Sequence, residues 1–261
     1  MTFGNKKVYG LILSHNCEKL IDETIKRIPN DLFDEVIVSD DGSTDNSVLK
    51  YKKLGYKVFE TSIAGYGSNV KNGLKSAFSL NADYVVEIHG DGAQFDPSAT
   101  YHAIELINND VDLILGSRFI EKGKALGLGM PLPRFLANRL LSIFDRLILR
   151  KNLSEFHTGF RIYNKNIMNI YDDSFSNYHI ASFQIIAATI ARGLSVDEVP
   201  VECDYRKEHT SHSYAGASLY AILHFGVLFQ FILYKYFKLS YGVFKKWMIN
   251  TIVNVGQMKT F

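Results

Sequence analysis

The sequence predicts an α/β protein built on a mainly parallel sheet. Three observations carry this. Apolar, β-branched runs alternate with helical stretches through the first half of the chain. Two of those runs stop abruptly at acidic, glycine-bearing turns, at 40–45 and at 89–96. Of the 261 residues, 47% are hydrophobic, enough to bury a large core.

In chain order, Val8–Leu13 is read as a strand and 18–27 as a helix. Glu35–Ser39 is the next strand, an apolar run suited to burial on both faces, followed by a helix over 47–54. A strand over 57–61 leads to a helix over 68–80, and Tyr84–Ile88 to a helix from Pro97 to Ile107. Val111–Leu115 is a fifth strand. The glycine-rich stretch 121–130 is expected to be a mobile loop. Helices follow over 132–149 and over 185–192, the latter ending at Gly193, and the last strand is 196–201. The pattern is that of successive βαβ units.

The C-terminal part differs. No Lys, Arg, Asp or Glu occurs from Tyr214 to Tyr234, and His224 and Gln230 are the only strongly polar interruptions. Lys235, Lys238, Lys245 and Lys246 follow. The run is long enough to cross a bilayer. It equally fits a helix lying in the interface with lysines at headgroup level, or a buried helix. The expected division is a catalytic domain over 1–212 and a membrane-associating helical tail over 213–261.

A net charge of +2 leaves no footprint for nucleic acid. The N-terminal residues lead into a strand without a signal-peptide apolar region, so a cytoplasmic location is expected. Cys17 and Cys203 lack metal-ligand spacing and read as reduced structural thiols.

The acidic turns are where chemistry is expected, because open α/β sheets bind ligands outside the carboxyl ends of their strands. Asp40 and Asp41 stand at one such end and can accept hydrogen bonds from a base or ribose; a surface turn with an Asp cap is the structural alternative. Asp91 lies between Gly90 and Gly92, which allow close approach of a ligand. A carboxylate there suits Mg²⁺ or Mn²⁺ shared with substrate phosphates.

Taken in order, these segments resemble the family 2 glycosyltransferases, and especially their dolichol-phosphate mannosyltransferase-like, polyprenyl-phosphate branch. The resemblance runs from about Val8 to about Tyr205. It rests on 11–16 followed by Glu18, on Val38–Asp45, on the glycine-rich basic segment 65–73, on His89-Gly-Asp91, on Gly116–Phe119, on Thr158-Gly-Phe-Arg161 and on Glu198–Val201.

The resemblance implies the GT-A fold: a Rossmann-like, mainly parallel sheet with flanking helices, here followed by a C-terminal hydrophobic helical segment. It implies that Asp40, with Asp41 beside it, binds the nucleotide, that Ser14, Asn16 and Glu18 line that pocket, and that Lys71 lies near it. It implies a divalent cation, Mg²⁺ or Mn²⁺, on Asp91. The family's usual first metal aspartate is replaced by His89, which can bind Mn²⁺, suits Mg²⁺ poorly, or can hydrogen-bond a diphosphate. The 155–161 segment resembles the catalytic region, with Glu155 or His157 as base and with Arg161 and Arg118 as phosphate ligands. The structural alternative for either arginine is an ion pair with a loop carboxylate. The polar stretch 205–214 is read as an acceptor lid or a solvated linker.

The expected activity is inverting transfer of a sugar from a nucleotide-sugar donor to a polyprenyl phosphate at the cytoplasmic membrane face. Partners are then the donor, a lipid-phosphate or glycan acceptor, and the membrane surface. A saccharide hydroxyl as acceptor, or an inactive nucleotide-sugar-binding protein, are the competing expectations.

Overall fold

The computed structural model describes residues 3–171, 173–203, 205, 214–239 and 242–244. Seven strands form one sheet in the order β3-β2-β1-β4-β6-β5-β7. They are β1 (Val8–Ser14), β2 (Glu35–Asp40), β3 (Lys57–Glu60), β4 (Tyr84–His89), β5 (Leu113–Ser117), β6 (Arg161–Asn164) and β7 (Val196–Pro200). All pairs are parallel except those of β6, which runs antiparallel between β4 and β5.

The helices are α1 (Ile21–Lys26), α2 (Ser47–Lys53), α3 (Tyr66–Ser79), α4 (Ile104–Asn108), α5 (Lys124–Gly127), α6 (Leu132–Leu149), α7 (Ala181–Ala191) and α8 (Tyr214–Phe237). Strand side chains alternate between two cores, as the two-residue period of a strand requires. Tyr9, Leu11 and Leu13 of β1 join Val70 and Leu74 of α3, Phe183 and Ile186 of α7, and Val227, Leu228 and Phe231 of α8. Val8 and Ile12 join Ile21, Tyr51, Ala103 and Ile107 on the opposite face. The expected mainly parallel sheet with flanking helices is thus present.

Four local expectations change. β6 was not foreseen: only four residues long, with Arg161 and Asn164 at its ends, it shows too little apolar alternation to read as a strand. The 121–130 stretch is not a loose loop but contains α5, and Lys124 bridges Glu121 (2.6 Å) and Glu202 (2.8 Å). The fifth strand is displaced two residues forward, to Leu113–Ser117. The helix read from Pro97 begins as a 3-10 turn, Pro97–Ala103, whose start is capped by the Asp96 carboxylate accepting from Ser98 N at 2.9 Å.

α6 is inverted relative to an ordinary surface helix. Ser142 and Asp145 face inward, whereas Leu132, Leu136, Leu140, Ile143, Phe144 and Leu147 form an exposed stripe. α8 packs His224, Val227, Leu228 and Phe231 inward and exposes Leu219, Ile222, Phe225, Phe229 and Phe237. The rings of Phe144 and Phe225 meet at 5.8 Å, joining the two exposed faces. Among the described residues, Ser218–Phe244 is long and apolar enough to cross a membrane, but only 22% of its apolar window is buried. One face of α8 is therefore core, and the other is exposed among the described residues. The 206–213 part of the expected lid, and the boundary after residue 212, lie outside the described residues.

Candidate active site

The parallel strands bring the carboxyl ends of β1, β2 and β4 to one edge. Ser14 lies in register with Asp40 on one side, and Leu13 with His89 on the other. β6 starts at the same edge, because it runs antiparallel, and delivers Arg161 there.

The first acidic turn is closed by Asp40. Its Oδ2 accepts from Ser14 Oγ (2.7 Å) and Ser43 Oγ (2.6 Å), and its Oδ1 from the Ser43 amide (2.8 Å). Asp40 is 1% exposed and is the hub of the turn. Asp41 is only part-committed, with Oδ1 accepting from Gly65 N at 2.7 Å. Gly65 sits at φ +125°, and a Cβ there would lie 2.3 Å from the Asn177 carbonyl. Asp41 thus ties the turn to the start of α3 through one carboxylate oxygen.

Asn16, at φ 48°, accepts from the Thr44 amide at 2.8 Å, and Glu18 accepts from Asn46 Nδ2 at 3.1 Å. Both residues brace the turn. Lys71 pairs with Asp173 and lies over the Tyr171 ring. Asp40→Ala is expected to lower stability by about 2–3 kcal/mol, since it strands buried hydroxyl and amide donors. Thermal unfolding checks this; an unchanged midpoint would return Asp40 to the role of ligand.

The second turn is equally braced. Gly90 N donates to Leu13 O (2.9 Å), Thr24 Oγ1 donates to Gly90 O (3.2 Å), and Gly92 N donates to Thr24 Oγ1 (3.0 Å). This fixes the backbone on both sides of Asp91. His89 turns its Nε2 to Glu87 Oε1 at 3.0 Å.

Glu87 was not singled out in the sequence. Its signal was an acid inside an apolar strand, two residues before His89 and therefore on the same face. It is fully buried and also bonds the hydroxyls of Tyr66 and Tyr163, with Arg161 NH1 3.6 Å away. Burial pushes the Glu87 carboxyl up, but Arg161, His89 and Tyr163 outweigh it and hold the group at about 2. Burial pushes the His89 imidazole down, and its bond to Glu87 reverses this, leaving it raised.

The two arginines are ion-paired as they stand. Both oxygens of Glu155 are engaged by Arg118, through Nε to Oε1 (2.9 Å) and the backbone amide to Oε2 (2.8 Å). Arg118 also reaches Tyr205 OH, and its guanidinium lies 5.8 Å from the Phe95 ring centroid. Arg161 is held by Glu87, Tyr66 and the Thr158 carbonyl. Burial pushes both guanidinium groups down; Glu155 for Arg118, and Tyr66 and Glu87 for Arg161, more than reverse this. His157 points away from Asp91, toward α6 and α8: its Nε2 is 2.9 Å from Asp145 and its Nδ1 3.2 Å from Tyr220 OH. Neither expected base has a free acceptor atom in this arrangement. The 155–161 loop nonetheless borders the site, because Gly159 packs where a Cβ would come 2.8 Å from His89 Cε1.

A divalent cation fits this edge. Mg²⁺ and Mn²⁺ are held by one or two protein oxygens plus phosphate oxygens, and Asp91 offers a carboxylate on a rigid turn. His89 retains only Nδ1 for such an ion, since Nε2 is taken by Glu87.

Comparison with known proteins places the chain in a family. The profile of "Glycosyl transferase family 2" matches residues 11–170. A UDP-N-acetylglucosamine–dolichyl-phosphate N-acetylglucosaminyltransferase of Methanococcus voltae is 27% identical, over 77% of this chain and 87% of its own. Polyprenol monophosphomannose synthase of Mycolicibacterium smegmatis is 25% identical, over 64% and 65%. Among solved structures, glucosyl-3-phosphoglycerate synthase of Mycobacterium tuberculosis, in complex with Mn²⁺, UDP and glucosyl-3-phosphoglycerate, superposes with a TM-score of 0.61 at 17% identity, covering 88% of this chain and 84% of that one. With its acidic strand ends and its parallel sheet, this chain belongs to the family 2 glycosyltransferases.

Proposed function

We propose that the protein is an inverting glycosyltransferase that moves a sugar from a nucleotide-sugar to a polyprenyl phosphate at the cytoplasmic face of a membrane. The observation that carries the lipid acceptor is the continuous apolar surface of α6 and α8, uncovered on the outside of a folded domain. An interfacial helix buries such a face at the headgroup boundary. Arg134, Arg139, Arg146 and Arg150 lie along or just beyond α6, where anionic headgroups would meet them. The named relatives that act on dolichyl phosphate or make a polyprenol phosphosugar support the same acceptor class.

The chemistry suits the side chains. A phosphate oxygen of the acceptor attacks the anomeric carbon, the bond to the donor's diphosphate breaks, and the nucleoside diphosphate leaves with the electron pair. The nucleophile is already an anion, so no general base is needed. This accords with Glu155 and His157 both being engaged inward. Asp41 binds the nucleoside through its second oxygen. Asp91 would hold the cation, with His89 Nδ1 as a second donor, and a bound ion there would supply charge stabilisation for the leaving diphosphate. Positioning by the braced turns provides much of the remaining rate.

The test offers the purified chain UDP- and GDP-sugars with either vesicle-borne polyprenyl phosphate or free saccharides. Transfer to the lipid phosphate is expected; transfer only to saccharides would replace this reading. The membrane part is tested separately by vesicle flotation. Leu136→Glu, Leu140→Glu and Leu147→Glu combined should cut binding to anionic vesicles by about tenfold or more, since each leucine contributes roughly 1.5–3 kcal/mol when buried. The thermal midpoint should hold, as all three side chains point outward. Undiminished flotation would assign attachment to other parts of the chain.

A further inference from the structure

Behind the 155–161 loop lies a buried charged group that the transfer chemistry does not use. Asp145 of α6, His157 of the loop and His224 of α8 meet there, with side chains at most 5% exposed. His224 Nε2 is 2.6 Å from Asp145 Oδ1, and His157 Nε2 is 2.9 Å from Asp145 Oδ2. Tyr220, one turn before His224 on α8, places its hydroxyl 3.2 Å from His157 Nδ1. The His224 ring packs on Phe183 of α7 at 4.3 Å. Burial pushes the Asp145 carboxyl up, but bonds from both histidines hold it below its ordinary range. An ionised carboxylate only accepts, so both Nε2 atoms donate to it.

Burying a carboxylate with two imidazoles is costly compared with apolar packing of the same volume, so the group calls for a use. Its position supplies one. His157 continues directly into Thr158 and Gly159. The Thr158 carbonyl accepts from Arg161, Arg161 faces Glu87, and Glu87 bonds His89. Gly159 itself packs against His89 and Phe95 with no room for a Cβ. One contiguous path therefore runs from α8, through Asp145 and the loop, to the residue two before Asp91.

We propose that His224, acting through Asp145, is a positioning residue that holds the 155–161 loop against the active site while α8 is seated on α6 and α7. The apolar helix then does more than attach the domain: its seating sets the geometry of the transferase site. Three such side chains could instead ligate one transition-metal ion. One donor atom from each of the three lies within 4.8 Å of the others, close enough for a single ion, but each imidazole meets a different oxygen of the carboxylate at hydrogen-bond distance, which favours the bridge.

The activity arm of the test rests on the glycosyltransferase reading; the exchange arm does not. The full chain in detergent micelles is compared with His224→Leu and His224→Gln, the latter keeping an amide donor near the Nε2 position. In His224→Leu, amide hydrogen exchange over 155–161 should rise about tenfold or more, with β1 and β2 unchanged. kcat should fall by about tenfold or more while the donor KM stays within about twofold. His224→Gln should restore most of both. Unchanged exchange over 155–161, or an equal loss of protection throughout the chain in both variants, would overturn the proposal. So would about one equivalent of zinc in the purified protein that His224→Leu abolishes. If the wild type turns over no sugar donor, the exchange result still decides.

Discussion

Asp91→Ala is expected to abolish metal-supported binding of UDP while leaving the protein folded. The turn that carries Asp91 is held by its backbone, through Gly90 to Leu13 and through Gly92 to Thr24, and none of those bonds uses the Asp91 carboxylate. Truncation therefore removes a charge and leaves those backbone bonds in place. Loss of a metal-site partner costs about 10–100-fold in metal affinity or activity even when the partner is not itself a ligand, so removal of the one carboxylate should exceed that range. Titration calorimetry with UDP in the presence and absence of Mn²⁺ reads the effect. Equal UDP affinity in wild type and variant, with Mn²⁺ present, would remove Asp91 from the site.

Glu87→Gln is expected to produce the largest loss of stability. It leaves Arg161 buried beside a neutral amide, and breaking a buried pair by removing one partner costs about 3–5 kcal/mol. His89 and the hydroxyls of Tyr66 and Tyr163 lose their charged acceptor at the same time. The pH dependence carries the signature. The Glu87 carboxyl lies at about 2 in the folded protein, against 4.5 ordinarily. Its depressed value contributes stability that is complete above about 4.5 and is lost as pH falls toward 2. Thermal unfolding of the wild type should weaken over that window, and that part of the dependence should be missing from Glu87→Gln. Parallel pH profiles for the two proteins would contradict the assignment. Activity should fall too, because His89 and Arg161 are both oriented by this carboxylate.

The sequence made the local features readable. The alternation of strands and helices and the Asp-capped turn at 40–45 depend on near neighbours, and both appear in the structure. What stayed hidden was the pairing of distant residues. Arg118 and Glu155 are 37 positions apart, and nothing in either segment shows that they neutralise each other. The nucleotide role was expected of Asp40 with Asp41 beside it, and only the folded turn shows that Asp40 has both oxygens engaged there while Asp41 engages Gly65 through one. α6 was legible as a helix, but its leucine stripe reads like a core face; that it points outward follows from Asp145 being drawn in by two histidines. Asp145 is the only acid in α6, and His224 one of two strongly polar interruptions in an otherwise apolar run, so both carried a trace that two separate segments could not connect.

The central claim is that an acceptor phosphate, presented at a membrane surface, is the nucleophile. The most direct measurement incubates the purified chain with nucleotide-sugar, Mn²⁺ or Mg²⁺, and vesicles carrying either a polyprenyl phosphate or the matching polyprenol, and weighs the lipid products by mass spectrometry. A glycosylated phospholipid is expected only from the polyprenyl phosphate, and none with Asp91→Ala. Sugar transfer to the polyprenol, or transfer to saccharide hydroxyls with the lipid phosphate left untouched, would contradict it.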